Sequence, residues 1–574
     1  MNFFDYVVLF GTLLGIAAYG MWRTRGRRDL RSYLSGDGRT GWFVIGVSVI
    51  ATQASATTFL SIPGQGYQDG LGFVQNYFGA PFALILIAMV FLPLYRRLNV
   101  YTAYEFLGRR FDGKTRLLGA GLFLLQRGVG AGLTIYAPAI VLSTVFGWPL
   151  DVTIICSGLV VTAYTATGGS EAVTLTQKYQ LGVIFIGMAA AFFILLAKLP
   201  PALTFADTLT LAGSFHKLQA VNFSPSVHER YTFWSGMFGG FFLALAYFGT
   251  DQSQVQRYIS GSSLRECRLG LMFNAVCKIP MQFFILLLGV LVFVFYQFEQ
   301  PPVLFNQAAW NSLTAHVPAE QVHSFETRFA AAHAEEQHQL EAWVAARKSG
   351  DTAGTAAALT AAGAAQAQGE NVRQEASKAL QAAAPQTTAS ERDYIFITFI
   401  LHYLPHGLIG LLVTAFFAAA LSSKAGELNA LGSATTVDFY RHVFKKDASD
   451  AHYVSASRWF TAFWGLAAIA VALFANLSEN LVQAANILGS VLYGAPLGLF
   501  LIAFFLKWLQ GTAAFWGTLI AQIVVLALYF LLPKDAISYL WYNVIGAVAC
   551  VLLAMVIQAG IDLTGKGAAP AVVS

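Results

Sequence analysis

About thirteen apolar runs, each near the roughly 20 residues that a helix needs to cross a bilayer, recur along this 574-residue chain and limit its fold more than any motif does. In hydrocarbon every backbone N–H and C=O must find a partner, and runs of this length find it by coiling into helices. The residues are 56% hydrophobic and 11% charged, a balance foreign to a water-soluble globule of this length. The expected fold class is therefore an all-α polytopic membrane protein.

The first run, residues 4–20, lacks a basic leader and a small-residue cleavage site and is followed by TRGRRDLR, so it reads as a retained helix. Lysine and arginine gather in alternate loops, at residues 23–31, 96–110, 257–268 and 441–446. By the positive-inside rule these loops are cytoplasmic, which puts the N-terminus outside and the C-terminus inside a plasma membrane of the bacterial inner-membrane type. The net charge of +5 then reports topology and contact with membrane lipid, not nucleic acid. Cys156, Cys267, Cys277 and Cys550 lie in or beside apolar runs without CxxC spacing, so neither a disulfide framework nor a zinc site is indicated.

One segment departs from the pattern. Residues 300–392 are polar, alanine-rich and lightly charged, and they divide the chain into 1–299, the insertion, and 393–574. Alanine, glutamate, glutamine and lysine favour helix, and Gly350, Asp351 and Gly354 interrupt it, so an extracytoplasmic helical hairpin or bundle standing off the membrane is expected. His333 and His338 are five residues apart, off a common helix face, and read as a solvated face and not as metal ligands.

Three runs carry polar groups that hydrocarbon penalises. The second, in ATQASATTFLSIPGQGY, holds Thr52, Gln53, Ser55, Thr57, Thr58 and Pro63, and the seventh, in YFGTDQSQVQR, holds Asp251. Both read as broken helices, whose freed carbonyls are tolerated at membrane depth only where they line a cavity and can meet ions. In AAALSSKAGELNALGSATTVDFY, Ser422 and Ser423 place adjacent hydroxyls in an apolar segment. Such oxygens suit a small hard cation, or else bond back to a carbonyl one turn earlier.

These pieces, with LPLYRRLNVYTAYEFLGRRF, TIYAPAIVL, YTATGGSEAVTLTQKYQ and CKIP, run in one order over nearly the whole chain except the insertion. Together they resemble the sodium/solute symporter family, which includes sodium/glucose, sodium/iodide, sodium/multivitamin and sialic acid cotransporters. The resemblance implies a LeuT-like fold, two inverted five-helix repeats with one helix before them and two after. It also implies Na⁺ as the coupling ion, bound by backbone oxygens of Ala51, Ala54 and Ala419 and by the hydroxyls of Ser422 and Ser423. Some members hold a further sodium on an aspartate and on hydroxyls one turn past the serine pair. Here those positions are Gln177, Ala425 and Gly426, so one sodium per cycle is expected. Lys424 sits beside this vacancy, either supplying the missing charge or pairing with Glu427 three residues on.

Tyr77 occupies about the position of a glutamate in sugar-transporting members, which points away from a hexose. Tyr247 matches an aromatic gate, Phe248 replaces a tryptophan, and Lys278 matches the CKIP lysine; Gln53, Ser55, Thr58 and Phe73 complete the expected substrate lining. Arg127, in GLFLLQRGVGAGLTIYAPA, is costly in a membrane helix unless an anion meets it. That anion is a substrate carboxylate, or an internal acid such as Asp251 or Glu427. The expected function is alternating-access symport of a small organic solute, a carboxylate or other organic anion, with a neutral sugar or polyol as the alternative. A reading of another class is a membrane sensor acting with a separate signalling partner, since the tail GKGAAPAVVS carries no signalling domain. No nucleophile, base and oxyanion-donor grouping marks an enzyme, and no protein partner is predicted.

Overall fold

The computed structural model describes residues 2–23, 41–53, 55–98, 100–259, 261–385, 391–474, 480–533 and 536–564, without the side chains of 13–14, 16–23, 56, 164, 167–180, 259, 418 and 421–422. Among the described residues, eight helices are long and apolar enough to cross a membrane, and five shorter apolar stretches accompany them. The elements that build the centre of the molecule are α1 (Phe3–Arg23), α2 (Trp42–Gln53), α3 (Ala56–Asp69), α4 (Gly113–Phe146), α5 (Leu150–Lys198), α6 (Gly240–Gly249) and α7 (Gln252–Ile259). They continue with α8 (Leu264–Phe298), α9 (Ala319–Ser349), α10 (Thr352–Ala383), α11 (Arg392–Tyr403), α12 (Leu408–Ala434), α13 (Asp450–Phe474), α14 (Leu481–Phe505), α15 (Gly511–Leu531) and α16 (Trp541–Leu563).

Both expected helix breaks are present. Between α2 and α3 the backbone of Ser55 is extended, at φ −73° and ψ 171°. The Thr58 hydroxyl reaches back across this gap to the Gln53 carbonyl at 2.7 Å, satisfying one acceptor that the break frees. Between α6 and α7 lie Thr250 and Asp251, and the Asp251 carboxylate accepts from the Ser253 N–H at 2.8 Å and hydroxyl at 2.6 Å, capping α7. Arg257 of α7 donates to the Ser48 hydroxyl of α2 at 2.8 Å, so the two interrupted helices touch. α3 and α8 pack closely because small residues let backbones approach: Gly66 and Gly289 lie where the facing helix leaves no room for a Cβ.

Within the insertion α9 and α10 pair as a helical hairpin. Gly350, at φ +76°, takes the left-handed turn that closes α9, and Asp351 caps α10 by accepting from Gly354 N–H at 2.9 Å. It does not stand clear of the membrane part. Leu340, Trp343, Ala358 and Ala362 join the main hydrophobic core, and Arg347 pairs with Asp207 of the helix Phe205–Ser214 at 2.6 Å. The expectation of a solvated face also fails for His333, which is 6% exposed and lies 3.6 Å from Glu336, whereas His338 is exposed. Burying one aromatic and alanine-rich stripe against the core turns this side of α9 inward. At the opposite end of the molecule, Asp438 is buried between Arg116 and Thr102, at 2.8 and 2.9 Å.

Candidate functional site

The broken helices enclose a cavity of about 190 Å³ with α4, α8, α12 and α14. Gln53, Ser55, Thr58, Tyr77, Arg127, Tyr247, Phe248 and Lys278 line it. Phe73 does not; its ring packs 5.8 Å from Tyr77 and 5.2 Å from Tyr231, one layer toward the hairpin end.

The two cations in this lining differ. Arg127 donates through Nε to Asp251 at 3.0 Å, through Nη1 to Glu427 at 3.1 Å and through Nη2 to the Tyr493 hydroxyl at 3.0 Å, with a further Nη2 bond to Asp251. The Tyr493 hydroxyl in turn donates a hydrogen bond to Asp251 at 2.9 Å. Glu427 also accepts from Lys424 at 2.6 Å and Thr134 at 3.3 Å, and Lys424 donates to the Ala131 carbonyl at 3.2 Å. Arg127 and Lys424 are thereby matched by Asp251 and Glu427, and the group ties α4, the α6–α7 break, α12 and α14 together. Of the two roles open to Arg127 and to Lys424 in the sequence, internal pairing is the one that this geometry displays.

Lys278 has no such match. Its ammonium lies 5.0 Å from the centre of the Tyr77 ring, and no carboxylate among the described residues stands within ion-pair distance. One helical turn earlier, Asn274 also lines the cavity, with both amide atoms buried and without a hydrogen-bond partner among the described residues. The Thr57 hydroxyl and the Asn486 amide nitrogen are likewise unpartnered in its wall. Sequence reasoning passed over Asn274 and Asn76; the four-residue spacing of Asn274 and Lys278 on one apolar helix was the available signal.

On the other side of the first break, the Ser423 hydroxyl donates to the Thr52 carbonyl at 3.1 Å. This contact brings the carbonyl end of α2 against α12, with Ala51 and Ala419 both buried beside it. Hard oxygen donors of carbonyl and hydroxyl type gathered at a helix break fit a sodium ion. Ala54 and the side chains of Ser422 and Gln177 lie outside the described residues. Phe59 of α3 stacks on Phe416 of α12 at 6.4 Å, which continues the same interface along the helix.

The chain matches the model of the Sodium:solute symporter family over residues 33–310 and 366–521, and the unmatched stretch between them falls inside the insertion. It is 34% identical over 275 residues to the human sodium-coupled monocarboxylate transporter 1, an alignment that covers 47% of this chain and 45% of that one. The chain thus spans about half the length of that relative. It is 26% identical over 561 residues to the sodium/sialic acid symporter of Proteus mirabilis (strain HI4320), covering 96% and 94%. A solved structure of a Na⁺-coupled sialic acid symporter in a substrate-bound outward-open state aligns at TM-score 0.73 and 24% identity, covering 97% of this chain and 98% of that one. That likeness shows the fold, the LeuT-like arrangement. With its two interrupted helices around one central cavity, this multi-pass membrane protein belongs to the sodium:solute symporter family, whose members are transporters and not enzymes.

Proposed function

We propose that the chain is a sodium-coupled symporter that carries a small organic carboxylate into the cell, with one sodium per cycle. The observation that carries this reading is Lys278, a buried cation facing the central cavity without a carboxylate of its own. A buried ammonium is costly until an anion meets it, so an incoming carboxylate gains the interaction that the protein leaves open. Arg127, already held by Asp251 and Glu427, organises the wall and leaves the ligand to Lys278, Asn274 and Tyr77.

The sodium site in this reading comprises the carbonyls of Ala51, Ala54 and Ala419 and the hydroxyls of Ser422 and Ser423. It is supported by the Ser423–Thr52 contact across the first break. A cation there bridges the carbonyl end of α2 to α12, and α2 and α3 also line the substrate cavity, so ion and solute each favour the same arrangement of the broken helix. The reading includes the charge-derived orientation, with the hairpin and the N-terminus outside. A monoanion moving with one sodium transfers no net charge and forgoes the roughly 2.3 kcal/mol per charge that 100 mV provides.

A neutral polyol is the second reading, favoured by the amides of Asn76, Asn274 and Asn486 around the same cavity. Uptake into proteoliposomes separates the two. Sodium-dependent uptake of a monocarboxylate that is insensitive to voltage supports the first, and sodium-dependent, voltage-driven uptake of a polyol overturns it.

A further inference from the structure

A cavity of about 440 Å³ lies between the inserted hairpin and the membrane core, walled by α3, α8, α9, α10 and the loop that carries Lys217. All of α9 falls in the stretch that the family model leaves unmatched, and it closes this cavity with Phe329, His333 and Glu336; the rest of the lining, Lys217 included, lies in matched residues.

Its charged groups form a pattern. Arg373 pairs with Glu370 at 3.1 Å, and Arg392 pairs with Asp69 at 3.0 Å. Glu336 lies 3.6 Å from His333 and feels the charge of Arg373, yet burial outweighs both and raises its carboxyl toward the neutral form. Lys217 is left over. Its Nζ lies 4.5 Å from the centre of the Phe293 ring and donates to the Gln68 carbonyl at 2.5 Å, with no carboxylate among the described residues within ion-pair distance. Burial pushes its ammonium down to about 8, which leaves it mostly charged at neutral pH.

The position of Lys217 is fixed by backbone. Its carbonyl accepts from Leu71 N–H at 2.8 Å, and Gly70, at φ +69°, sits so close that any Cβ there would strike the Lys217 main chain. Like Lys278 in the central cavity, Lys217 sets an ammonium against an aromatic face with no acid within ion-pair distance. Unlike Lys278, it feels the charges of Asp69 and Glu370, which line the same cavity and are themselves paired with Arg392 and Arg373. The rings of Tyr67, Phe293, Tyr296 and Phe329 supply an apolar wall that an inorganic anion would not use.

We propose that the hairpin cavity is a second binding site for a small organic carboxylate, with the charge held by Lys217 and the carbon skeleton against the aromatic wall. The proposal rests on the reading of the central cavity as an organic-anion site and extends it. The two sites share no lining residue and are linked by a chain of contacts through a third cavity. Asp69 and Arg392 also line a neighbouring cavity of about 630 Å³ that includes Tyr231 and Gln483. Gln483 donates to the Tyr231 hydroxyl at 2.8 Å, and Tyr231 packs on Phe73 directly above Tyr77.

Lysine-labelling kinetics on the full-length purified protein, read by mass spectrometry at Lys217, test this. The additions are pyruvate, nicotinate and succinate, with chloride and glucose as controls, in wild type and in Lys278→Met. At least one of the carboxylates should slow labelling of Lys217 severalfold while chloride and glucose do not, and the protection should persist in Lys278→Met, where the central site is lost. If none of the carboxylates protects Lys217, or chloride protects it equally, the second site is wrong. Should sodium-dependent carboxylate uptake be found without protection at Lys217, only this inference fails. Protection at Lys217 with no carboxylate uptake leaves the hairpin site standing and removes the transport reading.

Discussion

The α4–α12 wall of the central cavity and the α8 wall opposite both present buried cations, yet they are built on opposite terms. On the first, Arg127 and Lys424 are each answered by Asp251 or Glu427. On the second, Lys278 meets only an aromatic ring. A buried charge does not reveal its role by type or depth, since both Arg127 and Lys278 are over nine-tenths buried. What distinguishes them is whether the fold supplies the counter-charge or leaves it to be supplied from outside.

The sharpest way to break this contrast is to remove a cation from each wall. Arg127→Met leaves Asp251 and Glu427 short of a partner and should cost about 3–5 kcal/mol of stability, read as a large fall in thermal unfolding temperature or in folded yield. Adding Asp251→Asn should recover part of that loss, because the double variant no longer buries an unmatched carboxylate there. If Arg127→Met instead folds normally and abolishes only ligand binding, the pairing is incidental and Arg127 is the substrate's anchor.

Lys278→Met should do the reverse. Stability should hold or rise, while carboxylate affinity drops by about 10–150-fold, the effect of losing a charged hydrogen bond worth about 1.5–3 kcal/mol. Unchanged carboxylate binding in this variant would remove the distinction between the walls. Ser423→Ala should have the smallest effect, weakening sodium about fivefold for a loss near 1 kcal/mol, measured as the sodium concentration that half-saturates uptake or thermal stabilisation.

The breaks in α2–α3 and α6–α7 were legible because hydrocarbon forbids unpaired backbone, so hydroxyls, amides and an aspartate in the middle of apolar runs mark where a helix stops. Gln53, Ser55 and Thr58, beside the first break, line the cavity, whereas Tyr77, Tyr247, Phe248 and Lys278 were legible only through the family resemblance. The pairing of Arg127 was not decidable from sequence, since its partners stand 124 and 300 residues away, and an arginine in a membrane helix needs an acid without naming which one. His333 was misread for a related reason. The polar composition of α9 describes the whole helix, whereas its burial depends on which stripe lies inward, and Val322, Phe325, Phe329, Leu340 and Trp343, three to four residues apart or a multiple of that, marked the stripe on which His333 falls. Phe73 was placed one layer too deep, because its 3₁₀ turn, Gly70–Tyr77, rotates successive side chains by more than an α-helix would.

The hydrogen bond from Thr58 to the Gln53 carbonyl works as a tether across a joint. A helix cut at Ser55 and left loose would let α2 and α3 pivot separately. With the hydroxyl of one half fastened to the last turn of the other, a small rotation of α3 pulls directly on the carbonyl end of α2, which faces Ser423. The joint can still bend, but displacement at the hairpin end is felt as strain at the oxygen cluster within a single turn of helix.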